Sequence, residues 1–159
     1  MKIPEKFHNS LSEKPFTHCK MCQAELLESE KSYLIEKAYR RFPDNGAEQL
    51  LFEVAICLQC ASSMRSSLSA DSVDTVNHYF YERSMDRREE LLQLSPGDLL
   101  KTCLFSGAPL EDMEEYQVYA HCRGRRAGPH GWYVFTEWSC DRRNSTIAFT
   151  GNKRRAGQL

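Results

Sequence analysis

Cys19-Lys-Met-Cys22 and Cys57-Leu-Gln-Cys60 are the two stretches that decide how this chain folds. A cysteine pair separated by two residues can grip one ion through a tight turn, and two such pairs brought together fill a tetrahedral zinc site with thiolates. A site closed in this way leaves no position for water or substrate, so the metal it implies is structural. Cys19, Cys22, Cys57 and Cys60 are therefore the candidate ligands of one Zn²⁺.

Thirty-four residues separate the pairs, more than the usual interval, and a long hairpin accounts for them. The arm at 32–42, SYLIEKAYRRF, is rich in aromatic and branched residues. The arm at 49–56, QLLFEVAI, sets Leu50, Phe52, Val54 and Ile56 on one face. Pro43-Asp-Asn-Gly46 lies between them, and Asn-Gly tolerates the positive φ of a tight turn. After the second pair, Ala61, Met64 and Leu68 recur at helical spacing, which places Cys57 and Cys60 at a helix start, where free amides favour thiolate.

The order knuckle, hairpin, second pair, helix resembles a treble-clef zinc finger over residues 16–69. That resemblance implies that Cys19 and Cys22 are the knuckle ligands and that Cys57 and Cys60 are the helix-end ligands. Some treble-clef proteins are nucleases that use histidines of the hairpin and helix, but residues 61–68 and the hairpin contain none, so the catalytic part of the resemblance does not carry over. Disulfides, a redox dithiol and simple packing are the alternative uses of these cysteines. Seven cysteines is an odd number and a low density for a disulfide scaffold, and the opening Met1-Lys-Ile-Pro-Glu-Lys has no apolar run of the signal-peptide kind, so a reducing cytoplasm is expected.

The expected fold class is α+β, in four parts. Residues 1–15 read as a loosely held arm, punctuated by Pro4 and Pro15; 16–69 as the zinc unit; 70–96 as a linking helix capped by Asp71 or Ser72 and ended by Pro96-Gly97; and 97–159 as a β-rich unit with a basic end. This last part looks like a degenerate repeat of the zinc unit. Cys103-Leu-Phe-Ser106 lines up with the first pair, 116–124 with the first arm, and 134–140 with residues 51–57, the two arms at an offset of 83. Its ligand positions would be Cys103, Ser106, Cys140 and Arg143, which cannot form a four-thiolate site. Cys103, Cys122 and Cys140 are accordingly expected as buried core residues, and Thr146-Ile-Ala-Phe-Thr150 as a further strand.

Charge is uneven although the total is −1. Residues 121–159 carry eight arginines and lysines against Glu137 and Asp141, a net of +6, and the remainder carries −7. The stretch 123–131 sets Arg123, Arg125 and Arg126 beside Trp132 and Tyr133, a composition suited to phosphates and unpaired bases. No P-loop, dinucleotide fingerprint or triad context is present, and no stretch approaches the ~18 apolar residues of a membrane span. The expected role is a zinc-stabilised binding protein acting on a protein partner. The alternative is nucleic-acid binding through the 123–131 loop and C-terminal tail, and an enzyme with an unrecognised cysteine site is the weaker class.

Overall fold

The computed structural model describes residues 2–95 and 97–127, and the backbone alone of 134–136. Strands β1 (Ser32–Arg41) and β2 (Glu48–Cys57) form the hairpin that the two arms predict. Its turn closes through Phe42 N donating to Ala47 O at 2.9 Å and Ala47 N donating to Asn45 Oδ1 at 2.9 Å, with Gly46 at φ 67°. A left-handed residue there is why the turn carries glycine. The register shifts between Ala38 and Tyr39, where Leu51 is the extra residue of β2. Down to that shift Phe52, Val54 and Ile56 do share a face, but the buried positions of β2 are Ala55 and Cys57 on the opposite face.

Helix α1 (Leu58–Ser66) follows β2 without a break, and Cys57 is its N-cap. The linking helix differs from expectation. It is two helices, α2 (Ala70–Asp86) and α3 (Arg88–Gln93), and the cap is Ser69, whose hydroxyl accepts from Ser72 N at 3.2 Å. The break falls at Arg87, whose backbone leaves the helical range at φ −115° and ψ 10°, and its guanidinium donates to the carbonyls of Cys103 and, at 2.9 Å, Leu104. Phe105 receives α2 edge-on, with Tyr79 and Phe80 at centroid distances of 5.8 and 5.2 Å.

Strand β3 (Glu115–Arg123) pairs antiparallel with β1, and β4 (Arg126–Ala127) and β5 (Val134–Thr136) pair with β3, giving a sheet ordered β2-β1-β3-β4 with β5 also on β3. The two halves thus share one sheet and one core. Tyr33, Ile35, Tyr116, Val118, Ala120, Cys103 and Cys122 are buried together with Leu26 and Met113. The expected repeat acquires a geometric meaning here. Glu36 lies opposite Tyr119, its own counterpart at the offset of 83, so β1 and β3 cross about a local two-fold centred on that pair. Val134 faces Tyr119 as Val54 faces Glu36, which sets β5 against β2 at an offset of 80, not 83. Residues 137–140 and the strand expected at 146–150 lie outside the described residues.

The opening segment is not a loose arm. Ile3 and Phe7 are buried, Phe7 completely, and Lys2 bridges to Arg126. Lys6 lies 5.4 and 5.1 Å above the centroids of Tyr39 and Tyr116, which stack at 5.2 Å. A buried ion pair holds the chain just beyond Phe7. Lys37 Nζ is 2.9 Å from Glu53 Oε2 and donates to His8 O, while Glu53 also accepts from Asn9 Nδ2 and Ser10 N. The polar look of residues 8–14 conceals partners some 30 to 45 positions away.

Candidate metal centre

The first cysteine pair sits in a turn built by its own backbone. Cys19 N donates to Ala24 O at 2.9 Å, Gln23 N donates to Cys19 O at 3.0 Å, and His18 bridges to Glu25. Gln23 holds φ 58°, the left-handed conformation that reverses the chain after Cys22. The Glu25 carboxylate accepts from the amides of Leu27, Glu28 and Ser29 at 2.7–2.9 Å, which fixes the exit of the turn. Lys20 N donates to Ala55 O at 2.9 Å and docks the whole turn on the outer edge of β2.

That docking brings the two pairs together. The sulfurs of Cys19, Cys22, Cys57 and Cys60 all lie within 4.8 Å of one another, and Cys22 Sγ is 3.8 Å from Cys57 Sγ. A thiolate tetrahedron with metal–sulfur bonds of about 2.3 Å has sulfurs about 3.8 Å apart, so the spacing fits an ion of zinc size. Among the described residues, these four are the group of side chains gathered closely enough to hold a metal ion. Their exposure differs: Cys19 and Cys57 are buried, Cys60 is half-buried and Cys22 is exposed.

The electrostatics of the site favour a cation. Burial opposes ionisation of Cys19, but the amides of Cys22, Cys57 and Met21 point at its sulfur and bring its pKa down to about 6. The Cys57 amide is 3.4 Å from that sulfur. Hydrogen bonding to Cys57 and Cys22 pushes Cys60 up to about 12, because crowded thiols resist accumulating negative charge without a counter-ion. Backbone donors and a helix start therefore prepare the site for thiolate, and a metal dication would complete it.

The second turn copies the first with one of its two cysteines. Cys103 N donates to Ala108 O at 2.8 Å, Gly107 N donates to Cys103 O at 2.9 Å, Thr102 bridges to Pro109, and Gly107 holds φ 72°. Ser106 stands where the first turn has Cys22, and its hydroxyl accepts from Ala108 N at 3.2 Å. Arg87 braces this turn from outside; a Cβ on Gly107 would come within 3.0 Å of its Cζ. Cys103 and Cys122 are fully buried, as expected of core cysteines, and burial pushes the Cys122 thiol up to about 11. Cys140 and Arg143 lie outside the described residues.

The basic stretch is only partly described, because Trp132 and Tyr133 also lie outside. Arg125 pairs with Glu28, its Nε donating to Oε1 at 3.0 Å. Arg123 donates through Nε to Glu30 O at 2.8 Å and places Nη2 3.3 Å from Glu30 Oε2. Arg126 faces Arg123 across β3 and β4. The acidic partners come from the segment leaving the first turn, and neither is legible from the sequence around the arginines. Comparison with known protein families, curated proteins and solved structures gives no match. Among the described residues no helix is long and apolar enough to cross a membrane.

Proposed function

We propose that the chain is a zinc-stabilised binding protein whose 16–69 region is a treble-clef-type unit and whose partner is another protein. The observation that carries this reading is the closed set of four sulfurs, two from a backbone turn and two from the start of α1. All four coordination positions are protein thiolates, so the ion holds the fold and does not activate water. Free thiols of this kind suit a reducing compartment such as the cytoplasm.

The helices beside the centre support a protein partner. Leu58, Met64 and Leu68 of the α1 region and Phe80, Tyr81 and Met85 of α2 are exposed large apolar side chains, the raw material of a contact surface. Nucleic acid is the less favoured reading, because Glu28 and Glu30 already engage Arg125 and Arg123. Crosslinked capture from cells with the parent and with Met64→Ser/Met85→Ser, each checked for native circular dichroism, tests the assignment. Loss of the same captured protein in the folded variant is the expected result. Salt-dependent binding of mixed-sequence DNA or RNA, lost when Arg123, Arg125 and Arg126 are replaced by alanine, would transfer the assignment to nucleic acid.

A further inference from the structure

The four cysteines are unequal in access, and the inequality has a chemical consequence. Cys19 is buried, and its sulfur accepts the Cys57 amide at 3.4 Å. Cys57 is buried as the cap of α1, with Cys60 N 3.5 Å from its sulfur. Cys22 alone of the four is exposed, next to exposed Met21 at the tip of the turn, and its Sγ stands 3.8 Å from that of Cys57. A peroxide arriving from solvent therefore meets Cys22 first, with Cys57 behind it as the resolving thiolate.

We propose, resting on the zinc reading, that the centre is a modification site for hydroperoxides: oxidation joins Cys22 to Cys57 as a disulfide and the site gives up its metal. In the first step the Cys22 sulfur attacks one oxygen of hydrogen peroxide; an S–O bond forms, the O–O bond breaks, hydroxide leaves, and the sulfur becomes a sulfenic acid. In the second, the Cys57 thiolate attacks that sulfur; the S–S bond forms, the S–O bond breaks, and a second hydroxide leaves. Two thiolates and one hydrogen peroxide thus give one disulfide and two hydroxides, the peroxide taking both electrons. The sulfurs need to close from 3.8 Å to about 2.0 Å.

Cys19 and Cys60 then remain as two ligands where a stable zinc site needs four. The oxidised chain keeps a crosslink in place of the ion, because a 22–57 bond closes the same β1–β2 hairpin that the metal closes, and a covalent closure of a loop restrains the unfolded chain. Oxidation at this site exchanges one crosslink for another while releasing zinc.

The full-length, zinc-loaded protein treated with a small molar excess of hydrogen peroxide, then quenched with catalase, tests this. Released zinc is followed with a chelating dye, disulfides by non-reducing tryptic mapping with fragmentation, and the fold by far-ultraviolet circular dichroism. The expected result is one equivalent of zinc released, peptide 21–31 joined to 42–65 through Cys22 and Cys57, an unchanged spectrum, and reloading after a thiol reductant and zinc are added. Zinc retained through the treatment, release with a 19–22 or 57–60 pairing, or loss of the spectrum overturns the proposal. Protein that holds no zinc before peroxide is added overturns the zinc reading itself, and this proposal falls with it.

Discussion

Lys37 and Glu53 face each other on the buried side of β1 and β2, Nζ to Oε2 at 2.9 Å, and the pair anchors the opening segment to the sheet through His8 O and Ser10 N. Breaking such a pair from one side strands the other charge. Glu53→Ala is expected to destabilise the protein by about 3–5 kcal/mol, whereas Lys37→Met/Glu53→Leu, which removes both charges, should lose much less. Urea unfolding of the parent and both variants measures this, and equal losses in the two variants would show that the ion pair is not what holds the segment.

The same carboxyl sets a pH dependence. Burial opposes its ionisation, but hydrogen bonds from Ser10 and Lys37 outweigh that and hold Glu53 below its ordinary value of 4.5. A group whose folded pKa is lowered stabilises the protein above the unfolded value and loses that contribution as the pH falls through the folded one. The stability gap between the parent and Glu53→Gln should therefore be constant near neutrality and shrink below about pH 4.5. Both proteins lose thiolate ligation alike in acid, so the difference between their unfolding curves reports Glu53. A gap that widens on acidification would contradict the assignment.

In the second turn Gly107 is held at φ 72° with the Arg87 guanidinium against it. Gly107→Ala is expected to cost about 1–2 kcal/mol for the left-handed backbone alone, and the close approach to Arg87 adds to it. Metal content should not change. A thermal melt with parallel elemental analysis distinguishes this structural role from a metal-binding one.

Cys103 and Cys140 provide the complementary check. Their joint replacement by alanine should leave metal per chain unaltered, while packing at buried Cys103 suffers by about 1 kcal/mol or more. A second equivalent of tightly bound metal that disappears in the double variant would show that the second half has a site of its own.

Much of this arrangement is legible in the sequence because its determinants are local. Asn45-Gly46 marks a turn by backbone conformation, the cysteine spacing marks the ligating turn, and the periodicity of Ala61, Met64 and Leu68 marks α1. The features that stay hidden depend on distant partners. Phe7 and Lys6 look like part of a polar arm until the core encloses Phe7 and Tyr39 and Tyr116 are brought under Lys6. The guanidinium of Arg87 meets carbonyls at 103 and 104, and the arginines at 123 and 125 meet acidic residues more than ninety positions earlier. The alternation along β2 marks an apolar face but does not say which side is buried: Ala55 and Cys57 are buried, on the face where Glu53 meets Lys37.

The claim on which the rest depends is that Cys19, Cys22, Cys57 and Cys60 share one zinc ion. Elemental analysis by mass spectrometry of the purified full chain and of Cys57→Ser, each prepared with zinc and freed of loosely bound metal, tests it directly. One zinc per parent chain, with loss of zinc and reduced stability in Cys57→Ser, is the expected result, since metal binding and folding are coupled at such a site. Substoichiometric zinc in the parent, or unchanged zinc in the variant, would contradict it.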